Sequence, residues 1–131
     1  MAECNVTHLP GEIFPPDDQK PPLDSGHKRR CQAITGAFIY LQTSTRPDLS
    51  FSFLQLSRHR NAPMKGHFGA VKRTLRYLKG TTGLSVSYQR DHFILRGYVD
   101  AAYASDEKTS KSMGGYIFFL GSAALTWSSH R

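Results

Sequence analysis

Acidic residues are missing where basic ones are densest. Between residues 49 and 90 the chain has neither aspartate nor glutamate, so the lysines and arginines there have no acidic neighbour within the stretch. Cysteine is scarce as well. Cys4 and Cys31 are the only two and stand far apart, without a metal-ligand spacing. We expect free thiols in a reducing compartment, not a disulfide scaffold or a zinc module. No run approaches the roughly 18 apolar residues of a membrane span. The opening Met1-Ala2-Glu3-Cys4-Asn5 has neither the basic start nor the apolar stretch of a signal peptide. These absences point to an intracellular protein, cytoplasmic or nuclear, not secreted and with no membrane partner. Also missing are a Gly-rich phosphate loop, a G-x-S-x-G elbow and any H-x-E or Cys/His spacing. His8, His27, His59, His67, His92 and His130 are scattered.

What is present is positive charge in one place. The 131 residues carry 17 Lys/Arg against 10 Asp/Glu. Residues 1–26 hold one of those cations and five of the acids, residues 27–80 hold eleven cations and the lone Asp48, and residues 81–131 hold five against four. A middle block this one-sided suits a surface that meets a polyanion, although a solvated surface with no partner can look the same. The length fits one domain, or a small domain with an appendage, with enough chain for a core.

Five of the seven prolines fall in residues 1–26. Pro15-Pro16 and Pro21-Pro22 remove donors and favour extended backbone, so residues 1–23 read as an extended lead with little core of its own. A helical segment over 24–81 follows. Asp24 or Ser25 can cap a helix reaching about residue 41, with Cys31, Ile34, Phe38 and Leu41 on one face. Ala33, Gly36 and Ala37 are small enough to admit another helix. Thr45-Arg46-Pro47-Asp48 makes a break and a restart: Thr45 or Arg46 at the cap, Pro47 at the first helical position, Asp48 in the first turn. The second helix runs to about residue 59, with Leu49, Phe53 and Leu56 inward, and Asn61-Ala62-Pro63 repeats the break.

The third helix, about 64–79, is the most regular. Met64, Phe68, Val71, Leu75 and Leu78 make one apolar stripe, and Gly80 stands where a left-handed cap is usual. Lys65, Lys72, Arg76 and Lys79 make a basic ridge beside the stripe, joined by Arg73. No acid on the helix offsets that ridge, so it suits a phosphate backbone, with a merely solvated face as the equal alternative.

After Gly83 the period changes to two. Residues 82–131 read as a partial antiparallel sheet of three to four strands, and the class is α+β. Leu84, Val86 and Tyr88 alternate with Ser85, Ser87 and Gln89; Arg90-Asp91-His92 turns into a strand at 95–99; and Gly121-Ser122 joins runs at 113–120 and 123–129 as a hairpin. The 95–99 strand delivers Asp100 at its end. A lone carboxylate there can begin a metal site or cap a turn. Asp106 and Glu107 in the next loop can approach it, or simply be solvated beside Lys108.

Taken in order, several blocks resemble the Pol polyprotein of copia-type LTR retrotransposons. They are Arg30-Cys31-Gln32-Ala33-Ile34-Thr35-Gly36-Ala37-Phe38-Ile39-Tyr40-Leu41, Thr45-Arg46-Pro47-Asp48, and Ala70-Val71-Lys72-Arg73-Thr74-Leu75-Arg76-Tyr77-Leu78-Lys79-Gly80-Thr81. Gly97-Tyr98-Val99-Asp100-Ala101, Gly115-Tyr116-Ile117-Phe118-Phe119-Leu120-Gly121 and Ala124-Leu125-Thr126-Trp127-Ser128-Ser129 complete the match, which covers roughly residues 9–131. There are departures. Ala102 stands where the family usually has a second Asp, Tyr103 where it has Trp, Ser110 where it has Arg, and Met113-Gly114 where it has Thr-Ser.

The resemblance implies that this stretch joins the end of a reverse transcriptase to the start of a ribonuclease H domain. Residues 24–81 would be the thumb-like region that grips the primer–template duplex, and the strands the first of a truncated ribonuclease H fold. Asp100 would correspond to its first metal-binding aspartate. Ribonuclease H chemistry uses several carboxylates to hold two divalent ions, and one carboxylate cannot hold both. Mg2+ is therefore implied only if nuclease activity remains, and no cofactor is expected in isolation. Most of the catalytic carboxylates lie outside this stretch, which reads as cut off inside a domain. We expect a catalytically incomplete Pol fragment that binds RNA–DNA hybrid or duplex non-specifically through Lys65, Lys72, Arg73, Arg76 and Lys79. The alternatives are residual or assisted ribonuclease H activity on Asp100, or a module repurposed for protein contacts. Expected partners are nucleic acid and itself or another Pol segment.

Overall fold

The computed structural model describes residues 5–11, 21–90, 93–103 and 111–131. Cys4, Pro15-Pro16, Asp91-His92, Asp106, Glu107 and Ser110, on which expectations were placed, lie outside the described residues.

Helix α1, Ser25–Ser44, begins where a short acidic side chain can cap it. Asp24 sits in extended backbone and accepts from the Gly26 and His27 amides at 3.1 and 3.2 Å. The helix runs about one turn beyond its expected end. A single 3-10 turn, Pro47–Leu49, leads into α2, Ser50–Ser57, and α3 spans Lys65–Gly80. Each of the three helices touches the other two. Cys31, Phe38, Leu56, Ala70 and Val71 form the core, with Ile34, Leu41, Phe53, Phe68, Leu75 and Leu78 packed around it. Leu49 is also buried. Burial raises the Cys31 thiol above its ordinary pKa, so this free cysteine is held as the thiol.

Two expectations about small residues are corrected. Ala33 and Ala37 are exposed, and a side chain on Gly36 would meet nothing within 4 Å, so the helices meet through the larger Cys31 and Phe38 face. Gly80 does not supply a left-handed cap either. Among the described residues only Gly121 is a glycine with positive φ. Thr81 ends α3 instead, its amide donating to Leu78 O at 3.2 Å and its hydroxyl to Tyr77 O at 2.8 Å. The bare Cα of Gly80 leaves room for Val6.

That contact belongs to a larger one. Thr7 Oγ1 donates to Arg73 O at 3.4 Å, and Thr74 Oγ1 donates to Pro10 O at 2.9 Å. Further along, Leu23 N–H donates to Pro63 O and Lys65 N–H to Pro21 O, both at 3.3 Å, around a Pro22–Met64 bridge. The lead is thus fastened to α3 at two places.

The sheet has three antiparallel strands in the order β1 (Leu95–Ala102), β2 (Met113–Leu120), β3 (Ala123–His130). Residues 84–89 form no strand, which corrects the period-two reading there. Among the described residues their alternation has no strand beside it to pair with, and the Tyr88 hydroxyl reaches the sheet by donating to Ala124 O at 2.7 Å. The Gly121-Ser122 hairpin forms, with Gly121 at φ 61°. β3 packs against α2 and the 3-10 turn, and the Trp127 indole donates to Gln42 O at the end of α1. The opposite edge, β1, is exposed along its whole length. The architecture is α+β, with the core on the helical side.

Candidate nucleic-acid interface

The basic ridge stands on the side of α3 that faces away from the core. Lys65, Lys72 and Lys79 are exposed, whereas Arg73 and Arg76 are half-buried with their Nε atoms shielded from water. The ridge is therefore three outward lysines underlain by two arginine stems, not five equal cations. Lys72 Nζ lies 4.6 Å from the centre of the Phe68 ring, a contact that holds the ammonium close to the helix. The same ring receives the edge of His27 at 5.4 Å between centroids. His27, in the first turn of α1, thus meets the first turn of α3.

α3 has a second buried face outside the expected stripe, made of His67, Ala70, Thr74 and Tyr77. His67 Nδ1 accepts from the Met64 amide at 3.0 Å, satisfying a donor before the first turn, and its ring stacks on His59 at 3.9 Å. At the far end, Arg46 and Asp48 lock α3 to the 3-10 turn. Arg46 Nη2 lies 2.7 Å from Asp48 Oδ2, and Arg46 Nη1 and Nη2 donate to Thr81 O and Oγ1 at 3.2 and 2.7 Å. The Tyr77 hydroxyl donates to the same Asp48 oxygen. Burial pushes the Asp48 carboxyl up, but the hydrogen bonds from Arg46 and Tyr77 and the guanidinium charge outweigh it and hold it below the usual carboxylate range. Burial, and then the Asp48 carboxylate, push the Tyr77 hydroxyl up. The lock fixes the C-terminal half of the ridge relative to the other helices.

Asp100 is placed differently than expected. It lies inside β1 opposite Gly115, two residues before the strand ends, because the backbone ladder continues through Ala101 and Ala102. It is exposed, and among the described residues no three His, Cys, Asp or Glu side chains converge on a possible ion. A lone carboxylate does not fit a pair of divalent ions.

The geometry can be set beside known proteins. The chain is 40% identical over 97 residues to the Retrovirus-related Pol polyprotein from transposon TNT 1-94 of Nicotiana tabacum, which covers 74% of this chain and 7% of that protein. It is 38% identical over 101 residues to the corresponding polyprotein from transposon RE2 of Arabidopsis thaliana, again 7% of its length. It is also 37% identical over 100 residues to the Secreted RxLR effector protein 161 of Plasmopara viticola, and there the match covers 70% of the relative. The chain belongs to the copia-type retrotransposon Pol family. Within that family it spans only a small part of the polyproteins' length. No family model matches the chain, and no solved structure matches it. Among the described residues of this copia-type Pol chain no helix is long and apolar enough to cross a membrane.

Proposed function

We propose that this Pol-derived chain binds RNA–DNA hybrid or DNA duplex without sequence preference. Contact is made to the phosphate backbone through Lys65, Lys72 and Lys79, supported by Arg73 and Arg76. The observation that carries the reading is the outward placement of the lysine ridge on a helix whose other side is locked into the core. Two further facts support it. The described ion pairs, Asp24–His27 and Arg46–Asp48, do not involve Lys65 or Lys72. Lys28, Arg29 and Arg30 lie near the N-terminus of α1, where the helix dipole already concentrates positive potential. The test is a titration of labelled hybrid and duplex with the 131-residue chain at several salt concentrations. Binding that falls with salt and is lost in a Lys65/Lys72/Lys79→Glu variant is expected. No binding to either ligand at low salt overturns the reading.

A further inference from the structure

The outer edge of β1 is complementary to itself. Gly121 N–H donates to Ile94 O at 3.0 Å, which sets the parity of the β1–β2 ladder. In an antiparallel pair, residues that exchange hydrogen bonds alternate with residues that do not. Arg96, Tyr98 and Asp100 therefore turn their backbone groups toward β2. Leu95, Gly97, Val99 and Ala101 turn theirs toward the open edge, and among the described residues nothing meets them. The strand has no proline or bulge to blunt that edge, and all eight of its residues are exposed, Val99 to 79%.

Charges often protect such an edge by repelling a second copy. Here Arg96 and Asp100 have opposite signs, share one face of β1 and flank Tyr98 symmetrically. Neither makes an ion pair or side-chain hydrogen bond among the described residues. We propose that two copies of the chain associate by antiparallel pairing of β1 with β1, across a twofold axis at Tyr98. In that register Arg96 stands opposite the second copy's Asp100 and Asp100 opposite its Arg96, while Tyr98 faces its own counterpart. These residues fall at the non-hydrogen-bonded positions, where opposed side chains come closest. Leu95 stands opposite Ala101 and Gly97 opposite Val99, and these pairs exchange the hydrogen bonds that the edge now leaves open. Moving the axis to Gly97 or to Val99 keeps the hydrogen-bond parity but sets Arg96 opposite Tyr98 or Ala102, so both ion pairs are lost. The charges thus select one register, and the product is an isologous dimer with a continuous six-stranded sheet, the three strands of each copy.

Sedimentation equilibrium of the full chain tests this. The wild type is expected to dimerise with rising concentration. Arg96→Asp alone and Asp100→Arg alone should each weaken the dimer by about tenfold, since two attractions become repulsions. An equimolar mixture of these two variants should recover the dimer, because the mixed pair restores both ion pairs. Register is read by oxidation in a Cys4→Ser background: Tyr98→Cys should cross-link to its own copy, because opposed positions lie within disulfide reach, and Arg96→Cys should not. A wild type that stays monomeric up to its solubility limit overturns the proposal. So does a dimer that both charge variants leave intact, or one in which Arg96→Cys links and Tyr98→Cys does not.

Discussion

The Tyr77 hydroxyl donates to Asp48 Oδ2 at 2.7 Å, joining the last turns of α3 to a turn 29 residues earlier in the chain. Asp48 is the point where three elements meet: it also takes the Arg46 guanidinium, which in turn holds Thr81 beyond the end of α3. Removing the bond without removing the ring isolates its contribution. Tyr77→Phe should lower stability by about 1.5–3 kcal/mol, the scale of a hydrogen bond to a charged group. The shift in urea midpoint at unchanged slope measures it.

The same carboxylate gives the chain an acid limb. The Asp48 pKa is lowered in the folded state. Its contribution is therefore present above the unfolded aspartate value of about 3.9 and is lost as pH falls through the folded value. Stability should decline below about pH 4. Asp48→Asn should be less stable at neutral pH and should show a shallower decline, as read from urea midpoints across that range.

Gly97 is required by a ring. A Cβ built on it would lie 2.5 Å from a carbon of Phe118, its partner across the β1–β2 ladder. Gly97→Ala should cost about 1–3 kcal/mol, because the ring must leave its place or the strands must separate. Combining it with Phe118→Ala should recover part of that loss relative to the sum of the single changes.

The two kinds of cation on α3 should separate under salt. Lys72 is exposed, so Lys72→Ala should lower the slope of log affinity against log salt by about 0.9 on B-DNA, with little change in thermal stability. Arg76 is half-buried with its Nε shielded, and Arg76→Ala should lower stability as well as binding. Equal stability losses from both would show that the exposed and half-buried positions do not differ.

Much of the helical half was legible because its signals are local. Proline, capping residues and apolar spacing mark where α1, the 3-10 turn and α3 begin, and the core positions Cys31, Phe38, Leu56 and Val71 follow from them. The second face of α3 was not legible. His67, Thr74 and Tyr77 are polar or amphipathic, so a search for apolar periodicity passes over them, yet they are buried, Thr74 and Tyr77 by hydrogen-bonded partners distant in sequence and His67 against the His59 ring. Residues 84–89 show the converse: alternation is necessary for a half-buried strand but does not supply the neighbour it must pair with. At the candidate site, five ridge positions were visible, but the half-burial of Arg73 and Arg76 was not. That the start of α1 meets the start of α3 depends on the His27–Phe68 contact, a tertiary fact.

Trp127 is the only tryptophan in the chain, and its indole donates across the junction between the sheet and α1. Its fluorescence therefore reports selectively on the seam between the two halves. Detachment of the sheet would shift the emission to longer wavelength while the far-ultraviolet dichroism of the helices persisted. A single optical signal, followed alongside the helical one, can thus show whether the molecule melts as one cooperative unit or comes apart at that seam first.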